Sequence, residues 1–502
     1  MRNGRVEHQQ EDRPKFKHEV AMDCWDWEFF ESAMTDGGFV VSDHGPLRGP
    51  VTDFSIIRDK ALDLILETTS APGSKSNEAP PKAGTVYIAT AEVQFQSHFG
   101  TLATACGVIP RAHTQTFGRD ASTGTTHERS SMHSLHWVRK DSGDAQYIIE
   151  WVENMSGSFI WPDFDKVERT GEKRRTLKSQ KGEIVMSVPI YSPGSSRSCV
   201  HLFIEGCELF IGTSKAKPEH ILKPGFILYR GTPDEPTRAK IRDCLSFCLG
   251  NFLVYLGDTT FDAEWNPVSF TARSGHALVE DAANLNAWQP APLGTRFEHE
   301  ITPELLERMA SSLYRIYDAY RLQSVFWSYW HALAAPVHMA AAHFGAAIES
   351  LQKAFFKASG SEGQYKIVAD DKSWKDLSKK ISALISTTDL TEAEKRLLTG
   401  KAQNINHAPQ GIVMEKLFKA LGLKIDALEN EVWINRNRAA HGGGVDPEKG
   451  SRLVRENKVL HLMMNRILLA IGGGSDQYYD YYTVGRPLRR LSDPIQDDRN
   501  EG

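Results

Sequence analysis

The sequence lacks the cysteine spacing of a zinc ribbon or a disulfide framework. Its six cysteines include no CxxC pair, and none lies after Cys248. It also lacks an apolar stretch near its start, since the first 19 residues are charged and polar, so we expect no secretory signal. Together these absences predict a protein of the reducing cytoplasm.

A strong excess of charge of one sign is missing as well. The net charge of −5 argues against a surface that binds nucleic acid over its whole extent, although a local basic cleft remains compatible with it. A hydrophobic content of 40% and a charged content of 25% are typical of globular proteins. The length of 502 residues predicts two or three domains.

One apolar stretch is long enough to be weighed as a membrane span. Residues 325 to 348 contain no Asp, Glu, Lys or Arg. The stretch nevertheless carries His331, His338, His343 and Pro336, and much of the rest is alanine, which contributes little transfer free energy. We therefore predict buried helices and no membrane partner.

The motifs of nucleotide hydrolysis and of several enzyme classes are missing too. No GxxxxGK[ST], GxGxxG, HExxH or GxSxG element occurs in a convincing context. His127, Glu128, His133 and His136 have metal-ligand side chains at close spacing, but histidines on a strand edge or loop are the favoured interpretation. A metal-dependent hydrolase built on these residues remains an alternative that chelator sensitivity would favour.

The first half of the chain shows strand patterns. Apolar and β-branched residues with partial period-two alternation predict an antiparallel sheet or sandwich from Ala61–Thr68, Thr85–Phe95, Gln146–Val152, Glu183–Tyr191 and Val200–Thr213. Three-and-four spacing then predicts one helix over Pro236–Leu256. The polar stretch Gly257–Gly294 is typical of a connection to a second domain.

The second half is helical from Thr302, where Pro303 and Glu304 are typical of a helix start. Pro336 should end or kink this run. Further helices are predicted over Val337–Lys357, Trp374–Ser386, Thr391–Ala402, Val413–Leu421, Leu428–His441 and Gly450–Ala470. The fold class is therefore α+β, with a β-rich region at 1–295, an all-α bundle at 296–472, and a tail at 473–502 that we expect to be mobile except for docking by Tyr478–Tyr482.

The stretch Arg436-Asn437-Arg438-Ala439-Ala440-His441 carries the chemistry. The three glycines that follow, Gly442–Gly444, should end the helix and leave His441 in its last turn. There the negative end of the helix dipole favours an imidazolium that can exchange protons near neutral pH. RNA can be cut without a metal when its 2′-hydroxyl attacks phosphorus, which needs proton transfer and a cation for the phosphorane oxygens. Histidine and arginine supply both needs.

This stretch resembles the R-polar-x3-H signature of the HEPN superfamily. The order of a strand-rich region followed by the helical module resembles the ApeA-type anti-phage proteins, and the segments Leu245–Gly257 and Ala346–Phe355 are similar to parts of that family. The HEPN resemblance covers roughly residues 300 to 470. It implies an endoribonuclease that needs no metal or other cofactor and acts as a homodimer, possibly a higher oligomer, with two motifs facing each other across a cleft.

By that resemblance Arg436 and His441 would be catalytic, and Asn437 would occupy the polar position. Glu349 on the earlier long helix would be a supporting acid that orients the arginine or the histidine, and Arg438 has no role that we can assign. The expected function is bacterial anti-phage defence by abortive infection, with transfer RNA as the favoured substrate and a phage-derived trigger. A HEPN scaffold that dimerises or holds RNA without cutting it is the main alternative.

Overall fold

The computed structural model describes residues 24–71, 91–116, 124–140, 143–155, 161–179, 182–214, 219, 221–275, 292, 302–436 and 450–496, with the backbone alone at 164–197. An antiparallel β-rich region comes first and a helical region follows, which confirms the predicted α+β class. The strands are β1 (Phe39–Asp43), β2 (Val51–Arg58), β3 (Leu64–Ser70), β4 (Glu92–Ser97), β5 (Leu102–Cys106), β6 (Ile109–Thr116), β7 (Thr125–Met132), β8 (Ser134–Val138), β9 (Tyr147–Glu153), β10 (Asp163–Ser179), β11 (Gly182–Ile204), β12 (Cys207–Thr213), β13 (Gly225–Arg230), β14 (Val254–Phe261), β15 (Pro267–Arg273), β16 (Gln477–Tyr479) and β17 (Leu488–Arg490).

Two antiparallel sheets build the β-rich region. The larger has eleven strands in the order β1-β4-β5-β8-β15-β14-β9-β13-β12-β11-β10, and the smaller has the order β2-β3-β7-β6. The smaller sheet packs over one end of the larger, where buried side chains of both meet, among them Leu64, Leu66, Phe95 and Leu135. The predicted antiparallel β-structure is therefore present, and buried side chains of the two sheets share one apolar layer.

Three predictions for the β-rich region need correction. Val200–Thr213 is a hairpin rather than one strand, because Glu205 and Gly206, with φ of 45° and 87°, form a two-residue turn between β11 and β12. The interval Gly257–Gly294 was wrongly read as a connection from its start, since β14 and β15 occupy central positions in the larger sheet. The helix predicted over Pro236–Leu256 also ends earlier, where Gly250 adopts φ of 70°.

The central strands β14 and β15 were not predicted because polar residues interrupt their apolar pattern. Gly257 and Asp258 have the composition of a turn, but Asp258 is 9% exposed and faces Arg238 of the helix above it. Arg238 also donates to Glu150 of β9, which is fully buried. Arg242 donates to the same carboxylate at 2.9 Å, so two guanidinium groups balance two buried carboxylates between helix and sheet.

The helices are α1 (Phe30–Asp36), α2 (Glu235–Leu249), α3 (Pro303–Ile316), α4 (Leu322–Ala334), α5 (Val337–Ala358), α6 (Asp371–Ser386), α7 (Glu392–Asn404), α8 (Gln410–Ala420), α9 (Ala427–Asn435) and α10 (Gly450–Gly472). Pro303 begins α3 and Pro336 separates α4 from α5, as the sequence predicts. Within the described ranges, no helix combines the length and apolar character that a bilayer span requires.

One apolar core joins the sheet to the helices. Residues of β9, β11, β12 and β13 belong to the same buried cluster as residues of α2, α3, α4, α5, α8, α9 and α10. Within this cluster Phe247 of α2 stacks on Phe326 of α4, with ring centroids 5.5 Å apart. The β-rich region therefore covers apolar surface that the helices would otherwise expose to water.

The tail after α10 is packed more closely than its composition suggests. β16 and β17 form a hairpin, Tyr478 is 1% exposed, and Ile495 is fully buried. The docking predicted for Tyr478–Tyr482 is thus present at Tyr478, and the packed part of the tail extends to Ile495. Both side chains belong to the apolar core that contains the helices, which anchors this part of the tail.

The burial of His461 on α10 should make the free energy of unfolding depend on pH. Its ring is enclosed by the core and bonded to the Tyr329 hydroxyl at 2.7 Å, and burial lowers its pKa to about 4 from the usual 6.5. Between pH 6.5 and pH 4 the imidazole of His461 therefore binds a proton in the unfolded chain and stays neutral in the folded chain. Stability should be full above pH 6.5 and fall by about 1.4 kcal/mol per unit as the pH decreases toward 4.

The free energy of unfolding, measured in urea at pH 7 and pH 5, checks this. The parent should lose about 2 kcal/mol more between these values than a His461→Gln variant. His407→Gln, which replaces an exposed histidine, is the matched control and should lose as much as the parent. Equal losses in the parent and His461→Gln would contradict the assignment.

Candidate functional site

Arg436 stands at the C-terminal end of α9. The helix begins with a capping box, in which Asp426 and Glu429 bond each other's backbone amides, and it ends in the aromatic-apolar run that contains Trp433. Asn435 is its last residue and Arg436 is its C-cap. Arg436, the first residue of the RNRAAH motif, therefore lies next to the core that α9 shares with α5, α8 and α10.

The Arg436 guanidinium is held by three contacts. Its Nη2 donates to Oε1 of Glu349 on α5 at 2.5 Å, and its Nη1 donates to the Trp433 carbonyl oxygen at 2.6 Å. The guanidinium carbon also lies 3.4 Å from the centroid of the Trp433 ring. The supporting acid named from the sequence is therefore in contact with the arginine, although 87 residues separate them.

A glycine on α5 leaves room for this arginine. A β-carbon at Gly345 would lie 3.2 Å from both Cδ and Nε of Arg436. Gly345 precedes Glu349 by four residues, so the open position and the carboxylate share one face of α5. The sequence analysis did not name Gly345 or Trp433 as site residues. The one signal for Gly345 in the sequence is that it lies four residues before an acid, Glu349.

Arg436 and Glu349 differ in how far their side chains are exposed to solvent. Its side chain is 4% exposed, whereas that of Glu349 is 32% exposed. Burial lowers the pKa of the Arg436 guanidinium, against the opposing effect of the Glu349 carboxylate. The cation is thus enclosed, and only the carboxylate reaches solvent.

Other members of the motif lie outside the described residues. Asn437, Arg438 and His441 all fall between 437 and 449, so neither their positions nor the helix end expected at Gly442 has a structural account. The described residues of α10 that flank this interval include Arg452, which pairs with Glu431 at 2.9 Å and Glu456 at 2.8 Å.

The histidine cluster of the β-rich region does not converge. His127 is exposed on β7 and bonds Thr69 and Thr125, while the next residue, Glu128, is buried and accepts from the Arg48 amide. His136 lies on β8 in the other sheet and bonds Ser134 and Thr271. In the parts of the chain that the structure describes, no group of three potential ligands could hold a metal ion. His127 and His136, named from the sequence as possible ligands, thus lie in different sheets.

Comparison of the chain with protein-family models, curated proteins and solved structures found no match.

Proposed function

We propose that this protein is a metal-independent HEPN-type endoribonuclease of bacterial anti-phage defence. The observation that carries the proposal is the Arg436–Glu349 pair, because it joins the first residue of the RNRAAH motif to an acid on the facing long helix. Two partners so far apart in sequence are an arrangement that the resemblance implied and that the spacing of the motif alone does not require.

In the proposed reaction the RNA supplies its own nucleophile, the 2′-hydroxyl. As the 2′-oxygen bonds to the adjacent phosphorus, the P–O5′ bond breaks, and His441 passes the 2′-hydroxyl proton to the departing 5′-oxygen, which leaves a 2′,3′-cyclic phosphate. Asn437 hydrogen-bonds the ribose or orients the imidazole, and Arg436 stabilises the charge on the phosphorane oxygens. Because the guanidinium is buried against Glu349, the phosphate must compete with this carboxylate for it. Glu349 then restrains the arginine in the resting state and positions it for the substrate.

Unpaired loops of transfer RNA are the proposed substrate, since they allow the in-line geometry that a duplex forbids. By the resemblance, the active form is a homodimer with two motifs across a shared cleft. The β-rich region is proposed to sense a phage-derived trigger and to restrain the helices. Its strands and α2 share one continuous core with α3 and α4, which offers a route for that restraint.

The rival is a HEPN scaffold in which Arg436 has a structural role only. The low exposure of its guanidinium favours this rival, because a buried cation paired to one carboxylate stabilises helix packing whether or not RNA is cut. The rival predicts lost assembly or lost RNA binding on substitution. The ribonuclease proposal predicts lost cleavage while assembly persists.

Incubation of the full chain with total transfer RNA in excess EDTA tests the proposal, with and without phage lysate as a source of trigger. The parent should leave cyclic-phosphate ends, and an Arg436→Ala/His441→Ala variant should cut at least about 100-fold more slowly. A Lys372→Ala variant, which alters an exposed residue of α6, is the control and should cut like the parent. Equal cleavage by parent and double variant, or none by the parent with lysate, would refute the proposal.

A further inference from the structure

A cleft of about 430 Å³ lies between α4, α5, α10 and the segment that joins β16 to β17. Its mouth is lined by the exposed Val337, Val454 and Lys458, and its inner side by the buried Ala340 and Phe344. A volume of this size is within the range of about 300–1,000 Å³ that small-molecule sites occupy. The ribonuclease proposal gives this cleft no role.

Most of the wall is apolar, and the space exists because several of its side chains are small. Ala332, Ala335 and Ala340 contribute only methyl groups where a larger apolar side chain would fill the cleft. Leu333 and Leu462 supply larger apolar surfaces beside them. Contact with this wall removes apolar surface from water, so the favoured ligand has an apolar body.

The imidazole of His461 is a polar group on the inner side of the cleft and belongs to a hydrogen-bonded network. The Tyr329 hydroxyl donates its single proton to Oδ1 of Asn465 at 3.0 Å. Its oxygen therefore accepts from Nε2–H of His461, 2.7 Å away. Nδ2 of Asn465 is 3.4 Å from the same nitrogen, beyond the usual length of such a bond. The network thus places the ring proton on Nε2 and leaves a lone pair on Nδ1.

Nδ1 of His461 has no hydrogen-bond partner among the residues that the structure describes. His461 lines the cleft and turns Nε2 to Tyr329, so Nδ1 is the ring nitrogen that a ligand could reach. Burial lowers the pKa of this imidazole to about 4, so at neutral pH the ring is uncharged and Nδ1 is an acceptor. An acceptor left unmatched beside an apolar wall costs free energy, and a ligand that donates a hydrogen bond would remove that cost.

The two charged residues that line the cleft are both cations. Lys458 and Arg486 are exposed at its mouth, and no Asp or Glu is among the described residues of its wall. Lys458 precedes His461 by three residues on α10, so their Cα atoms are about 4.5 Å apart along the helix axis. Because the flexible lysine stem extends outward from there, a ligand of one ring with a short side chain can reach both the imidazole and the ammonium group.

We propose that the cleft binds a small aromatic anion whose ring carries a hydroxyl group opposite the anionic group. The hydroxyl donates to Nδ1 of His461, the ring lies against the apolar wall, and the anionic group meets Lys458 and Arg486 at the mouth. An aromatic ring suits this site because it joins a donor to an apolar body with few rotatable bonds, so little conformational entropy is lost on binding. The rings of His461 and Phe344 already stack there, with centroids 5.7 Å apart and planes at 23°.

Isothermal titration calorimetry of the full chain at pH 7, without RNA, tests the site with three probes. The parent should bind 4-hydroxyphenylacetate with a Kd below about 1 mM. Phenylacetate lacks the hydroxyl donor, and tyramine has an ammonium group in place of the carboxylate. Each should bind at least about 10-fold more weakly, because a lost hydrogen bond or an unfavourable charge is worth a factor of this size.

Three variants assign the binding to residues of the cleft. His461→Phe removes the acceptor and keeps a ring of similar shape, so it should bind 4-hydroxyphenylacetate no better than phenylacetate. Lys458→Ser should weaken binding of both acids by about 3-fold or more, whereas Lys419→Ser, which removes an exposed lysine from α8, is the matched control and should bind like the parent. Ala335→Leu fills the cleft and should weaken binding of both acids by at least about 10-fold, which decides the matter if His461→Phe fails to fold.

No binding of 4-hydroxyphenylacetate by the parent at about 10 mM, or equal affinity for the three probes, would overturn the inference. A preference for the hydroxyl that persists in His461→Phe would do so too. Parent-like binding by Lys458→Ser and Ala335→Leu, or equal losses in Lys458→Ser and the control, would mean that the probe binds elsewhere and would also overturn it. Since RNA takes no part, these outcomes are distinct from those of the ribonuclease test.

Discussion

Replacing Arg466 by methionine is expected to lower the free energy of unfolding by about 3–5 kcal/mol. Arg466 and Glu429 pair in the core with no exposed surface on either side chain, and Arg466 also donates to the backbone oxygens of Lys424 and Leu491. The substitution leaves the Glu429 carboxylate uncompensated and frees the tail from α10. Burial already raises the pKa of Glu429 against the opposing effect of Arg466, so the cost of an unpaired charge is high.

Urea unfolding at pH 7 measures the change, and Arg452→Met is the matched control. Arg452 lies on the same helix as Arg466 and pairs with Glu431 of α9 and with Glu456, but half of its side chain is exposed. Its loss should cost less than about 1 kcal/mol, because water screens such pairs. Similar costs for the two arginines would mean that the buried pair contributes nothing particular.

Glu349→Ala is expected to cost about 2–3 kcal/mol, and more than Arg436→Met. The reason is the unequal burial of the two partners, at 4% for the arginine and 32% for the acid. Removing the acid leaves an enclosed cation, whereas removing the cation leaves a carboxylate that water can reach. The double variant Glu349→Ala/Arg436→Met should therefore be more stable than Glu349→Ala alone.

Urea unfolding of the two single variants and the double variant closes this cycle. A control is Glu415→Ala on α8, which removes an exposed acid from the same helical region and should change stability little. If Arg436→Met proves the costlier single change, the guanidinium does more than compensate Glu349. The packing of its planar group on Trp433 would then be the next contact to test.

Local rules predicted much of the helical region, because its boundaries are set by residues with strong local preferences. Pro303 and Pro336 restrict the backbone wherever they occur, so the start of α3 and the break before α5 followed directly. The strands β14 and β15 were not predicted, for the opposite reason. Gly257 and Asp258 favour a turn in isolation, and only the distant Arg238 makes a buried aspartate tolerable there.

The candidate site shows the same division. The helix that carries Arg436 was predicted from its pattern, but over Leu428–His441, which places Arg436 in its interior, whereas α9 ends at Asn435 with Arg436 as its C-cap. The enclosure of Arg436 could not be predicted, since Gly345 and Glu349 approach it from α5 and periodicity has no information on which helices become neighbours. Only the family resemblance pointed to Glu349, as a supporting acid.

The shared core has a consequence for how the sheet could restrain the helices. Phe247 of α2 lies between the strands and α4, so a sheet that moved away would leave the rings of Phe326 and Tyr329 in water. Moving the sheet away from the helices would thus expose their shared core to water. A small rotation of α2 would instead shift α4 and, through it, α5 with Glu349. Under the proposed function, a signal received by the strands would therefore reach the helices through side chains that stay in contact.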